Sequence, residues 1–205
     1  MMIKKPIFLI AACLVLLISS CLDTSSKNSS ENLLNTDFEL VNINNQYSME
    51  VPDFMKESKE LNDEASLQYQ NIFKELYIIV IDESREEFKT VFQDLGEYDD
   101  EISMVENYKS IQLEFLQEAI TIHSKEDVES SVINGLPFEI VKVDATSDGI
   151  DIAYTIAYID GPENVYMIMA WTEKDKREKN EALFQKMIKS FKISARTKGV
   201  TKNPS

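Results

Sequence analysis

Cysteine and histidine are nearly missing from this chain. Its 205 residues hold two cysteines, Cys13 and Cys21, and one histidine, His123. Both cysteines fall within the first 21 positions, so the body that follows has no thiol for a disulfide, a thiolate metal site or a cysteine nucleophile. A zinc site of the usual kind needs three or four His or Cys ligands, and one imidazole does not supply them. A hydrolase of the nucleophile-elbow type needs G-x-S-x-G, and no such stretch occurs. No motif calls for a cofactor. Basic residues are also short: 21 Lys and Arg stand against 36 Asp and Glu, a net charge of −15. Nucleic acid and anionic lipid surfaces repel such a body, which excludes DNA and RNA as partners. The charge instead serves solubility or draws cationic partners.

Long apolar runs are absent as well. Ile7 to Ile18 is unbroken but only twelve residues long, and a membrane-spanning helix needs about 20. Lys4 and Lys5 before it, and Ser19-Ser20 after it, complete the anatomy of a secretory signal. One reading is a signal cut near Ser19 or Ser20 to release a soluble protein. Cys21 points elsewhere, because Ile18-Ser19-Ser20-Cys21 resembles the bacterial lipobox, an aliphatic residue and two small ones before a cysteine. That resemblance implies cleavage between Ser20 and Cys21 and a diacylglycerol on the Cys21 sulfur. Each buried acyl CH₂ contributes about 0.8 kcal/mol, and stable anchoring takes two chains, which this group provides. The expected address is the cell envelope, exported and lipid-anchored. Leu22 in place of an aspartate after Cys21 resembles outer-membrane sorting in some Gram-negative bacteria.

The mature chain, Cys21 to Ser205, has 185 residues, and loss of Lys4 and Lys5 takes its net charge to −17. That length suits one domain with one sizeable core. Leu22 to Asn32, LDTSSKNSSEN, is too polar to bury a core and reads as a flexible tether through about residue 36. Its root-mean-square span would be roughly 20 Å. Residues 194–205 read as a basic polar tail.

Between these ends the periodicity changes several times. Asp37 to Pro52 reads as two strands around an Asn44-Asn45 turn, with Tyr47, Met49 and Val51 on one side. Ser66 to Ile72 alternates again. YIIVI, Tyr77 to Ile81, is apolar on both faces and reads as a central strand covered on both sides. A helix follows, with Ser84 and Glu87 at capping-box spacing and Phe88, Val91, Phe92 and Leu95 as its stripe before Gly96. A second helix spans about Ile102 to Ile120, and Ile122 keeps its pattern. Asn134-Gly135, Asp148-Gly149 and Asp160-Gly161 then mark turns of an antiparallel meander through Phe138–Asp144, Ile150–Ile159 and Val165–Thr172. A last helix is expected from Thr172, capped by the spacing to Asp175, with Leu183, Phe184, Met187 and Ile188 inward. The order gives an α+β fold, one twisted antiparallel sheet sandwiched between helical layers.

Several phrases carry a resemblance: YSMEVP, the paired-strand block ASLQYQNIFKELYIIVIDE, ING before the meander, W-T and the ending MIKSFKI. Over residues 37–193 the chain resembles the PsbP-like domains, which include the extrinsic protein of photosystem II, a Ran-binding nuclear transport factor and many bacterial lipoproteins. The resemblance implies an α/β/α sandwich and an accessory role exercised by docking to a partner in the envelope. It carries over no functional residue.

Candidate sites are few. His123 follows the second helix, where a cationic ring suits the C-terminal dipole, or it is a plain surface histidine. Glu97, Asp99, Asp100 and Glu101 crowd the loop EYDDE. Calcium favours such oxygens, but the spacing is not that of an EF-hand, and the acids also suit a solvated loop and a helix start. Tyr154, Tyr158, Tyr166 and Trp171 suit cross-strand packing better than a sugar platform. The leading expectation is a non-catalytic domain held on the membrane through Cys21 that binds an envelope protein. The alternatives are a small-ligand or divalent-cation binding protein, or a hydrolase working with carboxylates.

Overall fold

The computed structural model describes residues 36–194. The signal, Cys21, the tether up to Asn35 and the tail after Ser194 lie outside the described residues. Two strands come first, β1 (Phe38–Ile43) and β2 (Tyr47–Pro52). They turn through Asn44 and Asn45, at φ 48° and 56°. Short β3 (Lys56–Glu57), β4 (Leu67–Asn71) and β5 (Leu76–Ser84) follow. Next come α1 (Arg85–Leu95), α2 (Met104–Ala119) and four long strands: β6 (Thr121–Ile133), β7 (Leu136–Ser147), β8 (Ile150–Asp160) and β9 (Asn164–Glu173). A 3-10 turn at 174–176, α3 (Arg177–Lys189) and β10 (Lys192–Ile193) close the domain.

The main sheet runs in the order β3-β4-β5-β9-β8-β7-β6, with every neighbouring pair antiparallel. The α+β class and the sheet between helical layers stand as read from the sequence. The first two strands do not join that sheet, however. β2 pairs with β1 on one side and β10 on the other, making a second, three-stranded sheet. The inward residues Tyr47, Met49 and Val51 share one cluster with Leu183, Phe184 and Met187, so the small sheet and α3 form a single layer over one face. On the other face, α1 and α2 cover the cluster holding Phe88, Phe92, Tyr108 and Ile111.

Four expectations need correction. The Ser103–Glu106 capping box starts α2, with both reciprocal bonds present, so Asp99 and Asp100 are not its cap. α2 ends at Ala119 because Ile120 is extended (φ −137°, ψ 163°), and Ile122 belongs to β6. Leu95 leaves the α1 stripe and is 54% exposed, since the helix stops there and Gly96 turns the chain away at φ 74°. The last helix does not start at Thr172. That residue is buried opposite Ala153 in β9, and its Oγ1 accepts from Asn180 Nδ2 at 3.0 Å.

Turn chemistry divides the three X-Gly pairs. Asn134-Gly135 and Asp148-Gly149 take positive φ at both residues, as hairpins of matching twist require. Gly161 does not take positive φ and is needed for space. A Cβ there would lie 2.7 Å from the Asn164 carbonyl oxygen and 2.9 Å from the Tyr166 ring.

The double-faced strand is as expected. Ile78 and Val80 point into the α3 layer, Ile79 and Ile81 into the α1–α2 layer. Ile79 keeps 4% of its surface exposed and Val80 none. Truncating either Ile79 or Val80 to Ala is expected to cost about 1–4 kcal/mol in urea unfolding, from lost burial and the cavity left behind. Phe73→Ala, at a site 93% exposed, is expected to stay within about 0.5 kcal/mol of wild type.

Candidate functional site

The two helices do not cover their face of the sheet completely. Beyond the C-terminal turn of α2 lies a cavity of about 150 Å³. Its floor is built by alternate residues of the central strands, Ile79 and Ile81 from β5 and Met167 and Met169 from β9. Leu116 forms a wall on the helix side, and Ile152, Tyr154 and Trp171 close the opposite side. The rim carries Asn62, Ser147 and Asp148. Period-2 alternation produces the floor, because every second residue of β5, β8 and β9 faces the helices. The sole charged side chain in the lining is Asp148. Hydrocarbon, thioether and ring surfaces of this kind recognise apolar shape.

Behind the cavity a polar group is built into the α2 interface. Glu83, near the end of β5, accepts hydrogen bonds on one oxygen from Tyr108 Oη and Gln112 Nε2, both at 2.8 Å. Gln112 lines the cavity and so joins the pocket to the carboxylate. Burial pushes the Glu83 carboxyl above its ordinary value. The Tyr108 hydrogen bond works against that shift, and Glu64 and Asp82 add to it. The sequence signal was available: Tyr108 and Gln112 are one turn apart, and Gln112 interrupts an apolar stripe. Tyr158 packs edge-on against Tyr108 with ring centroids 5.9 Å apart. Its hydroxyl is the one buried side-chain polar atom without a partner among the described residues.

The residues singled out in the sequence are scattered. His123 lies in β6, not at a helix end, because the chain is already extended from Ile120 onward. It is exposed, and its Nε2 lies 2.7 Å from Thr146 Oγ1. Thr146 gives its single proton to Asp151 at 2.6 Å, so His123 is the donor. That polarity is the reverse of a base drawing a proton from a hydroxyl.

EYDDE lies at the surface between the helices, with Glu97, Asp99, Asp100 and Glu101 all exposed. Asp99 Oδ1 accepts from the Glu101 amide at 2.8 Å, and Asn107 clamps both the amide and the carbonyl of Asp99. Asp100 accepts from Gln93 at 2.9 Å. Among the described residues no three His, Cys, Asp or Glu side chains stand together as a metal-holding group. Tyr154, Tyr158 and Tyr166 are all buried in the core, and Tyr154 also lines the cavity together with half-buried Trp171.

No protein-family profile and no curated protein matches the sequence. Solved structures do. The solution structure of cyanobacterial PsbP (CyanoP) from Synechocystis sp. PCC 6803 superposes with a TM-score of 0.54 at 12% identity, covering 86% of this chain and 98% of that one. A protein of unknown function from Pseudomonas aeruginosa, PA94, described as a putative regulator, gives 0.39 at 13% identity over 82% and 99%. LpqN, involved in cell envelope biogenesis of Mycobacterium tuberculosis, gives 0.46 at 7% over 84% and 100%. The chain is an α+β sandwich built on an antiparallel sheet. More narrowly, its fold is PsbP-like.

The raised Glu83 carboxyl sets a pH dependence. The folded chain holds that proton more tightly than the unfolded chain. The contribution of Glu83 to stability is therefore greatest below its ordinary value of 4.5 and declines as pH rises through the raised folded value. Glu83→Gln keeps an acceptor for Tyr108 and removes the titration. Thermal unfolding across pH is expected to show the variant gaining on wild type as pH rises above 4.5, with a constant difference below.

Proposed function

We propose that this protein is an exported lipoprotein of the cell envelope, anchored through Cys21, whose PsbP-like domain works by binding. Its site is the cavity beyond the end of α2, and its partner is an envelope protein that inserts one large apolar side chain there. The observation that carries the reading is the lining. About 150 Å³ of space is walled by Ile, Leu, Met and ring surfaces, with a single carboxylate at the rim. Space of that size accepts a group about as large as benzene. Its lining holds one carboxylate, Asp148, and neither a histidine nor a second acid to pair with it. The lipobox-like Ile18-Ser19-Ser20-Cys21 supports attachment through lipid; among the described residues no helix is long and apolar enough to cross a membrane.

Two measurements test this. Cys21→Ser is expected to abolish fatty-acid labelling and to move the protein out of the membrane fraction. Retention of the variant at the membrane, with no label on wild type, rejects the anchor. For the binding site, cross-linked native envelope is probed with wild type and with Met169→Glu, which places a charge in the half-buried floor of the cavity. The partner is expected in the wild-type sample and depleted about tenfold or more in the variant, since an unpaired charge in an apolar contact costs at least that factor. Equal recovery by both would reject the cavity as the site, and recovery of a small molecule in place of a protein would favour ligand carriage.

A further inference from the structure

The turn between β4 and β5 carries the most exposed large apolar surface of the domain. Ile72 is 58% exposed and Phe73 is 93% exposed, side by side at the tip. The turn is built to stay ordered while it projects. The Lys74 amide donates to the Asn71 carbonyl and side-chain oxygens at 3.2 and 3.0 Å, and Glu75 takes a positive φ of 55°. No packing need explains the two side chains, because neither belongs to a core cluster.

The tip sits where the N-terminal segment joins the domain. Asn71 Nδ2 donates to the Phe54 carbonyl at 2.8 Å, and the Lys74 ammonium lies 5.3 Å from the centre of the Phe54 ring. The residue before Phe54, Asp53, donates its amide to the Asp37 carbonyl at 3.1 Å and accepts from Thr36 Oγ1 at 3.2 Å. The described chain thus begins beside the tip, at Thr36. The C-terminal end is elsewhere, where the Ser194 amide meets the Gln46 carbonyl in the β1–β2 turn. Fourteen residues lie between Cys21 and Thr36.

One further feature fits a bilayer better than a protein groove. Tyr77 and Trp171 stack with ring centroids 5.3 Å apart, and the strand register places Tyr77 opposite Gln70, one step from the turn. Half-buried Tyr and Trp just behind an apolar tip match the depth of a headgroup layer, which accepts about 5–10 Å of apolar surface. Charge at this end is mixed, with Lys56, Lys74 and Lys176 among Asp37, Asp53, Glu57, Glu75 and Glu173, and a lipid surface without net charge does not repel it.

We infer that the β4–β5 turn is a second membrane contact, with Ile72 and Phe73 entering the headgroup–acyl boundary of the leaflet that holds the anchor. It rests on the reading that Cys21 is lipidated, and it adds a fixed orientation to that tether. The test supplies the tether artificially, so its outcome does not depend on Cys21. The chain from Leu22 onward, with an N-terminal hexahistidine, is held on phosphatidylcholine vesicles containing nickel-chelating lipid. It contains no native cysteine, so Phe73→Cys and Pro162→Cys each take one environment-sensitive fluorophore. Pro162 is exposed in the β8–β9 turn, beyond the far end of β5, where Ser84 pairs with Asn164. Expected is a blue shift and brightening at position 73 on vesicle binding, quenched by spin-labelled acyl chains, with no change at 162. No change at 73 in vesicle-bound protein overturns the inference, and so does an equal change at both sites. A shift at 73 that requires added envelope protein and not lipid overturns it in favour of a protein partner. Failure of the anchor itself is read separately, by fatty-acid labelling of wild type against Cys21→Ser.

Discussion

Ile79 and Val80 are adjacent in the chain and lie on opposite faces of one sheet, each withdrawn from water. That requirement governs the rest of the domain. β5, β8 and β9 are apolar on both sides, so neither face can be left wet, and each must be given a layer. The chain meets the demand unequally. One face receives α3 together with the β1–β2–β10 sheet, and its cluster includes fully buried Tyr47, Phe184 and Phe191. The other receives two helices, of which α2 stops at Ala119. The cavity marks where that second layer runs short. A binding site here results from incomplete coverage of an obligatory apolar face.

The same demand explains what could be read in advance. YIIVI, the meander strands with their Asn-Gly and Asp-Gly turns, and the Tyr47–Met49–Val51 alternation are local patterns, and local patterns name local elements. β6 escaped because its thirteen residues, TIHSKEDVESSVI, have almost nothing to bury. Ile133 is its one buried residue. It is an edge strand, and charge and hydroxyls on an edge guard against pairing with other chains. Such a strand has no alternation to show, and Ile122 continued the pattern of the preceding helix instead. The second sheet was hidden for another reason. A hairpin with one apolar side reads the same whether it extends the main sheet or lies across it, and only the long-range pairing of β2 with β10 decides. The cavity was hidden most deeply, since it depends on how α2, β5, β8 and β9 are placed relative to one another.

The Glu83 network shows how the helical layer is held at the edge of that gap. A carboxylate near the end of β5 could stay solvated at little cost. Here it is drawn under α2 and meets two donors on successive turns, Tyr108 and Gln112. Apolar ridges alone would let α2 slide or rotate with modest loss. Two hydrogen bonds to one oxygen set its rotation and its position along the sheet together. Burial works against the charge, as the raised carboxyl records, so the arrangement favours one placement over others more than it adds stability. Because Gln112 also lines the cavity, the residue that positions the helix shapes the inner wall of the site.

Position along the strands then connects the cavity to the proposed membrane end. Trp171 belongs to both: it lines the cavity, and it stacks on Tyr77 one register step from the β4–β5 turn. If Phe73 and Ile72 sit at the headgroup boundary, the cavity floor at Met169 and Ile79 stands only a few residues farther out, at about 3.4 Å per residue along the strand. An apolar group reaching the pocket would then come from close to the bilayer. That favours a partner that is itself anchored or embedded there over one free in the aqueous space. Attachment at Cys21 alone would not set the orientation of the domain. A second contact at the turn would give the cavity a fixed height, and a fixed height selects partners whose apolar side chains lie at that level above the membrane.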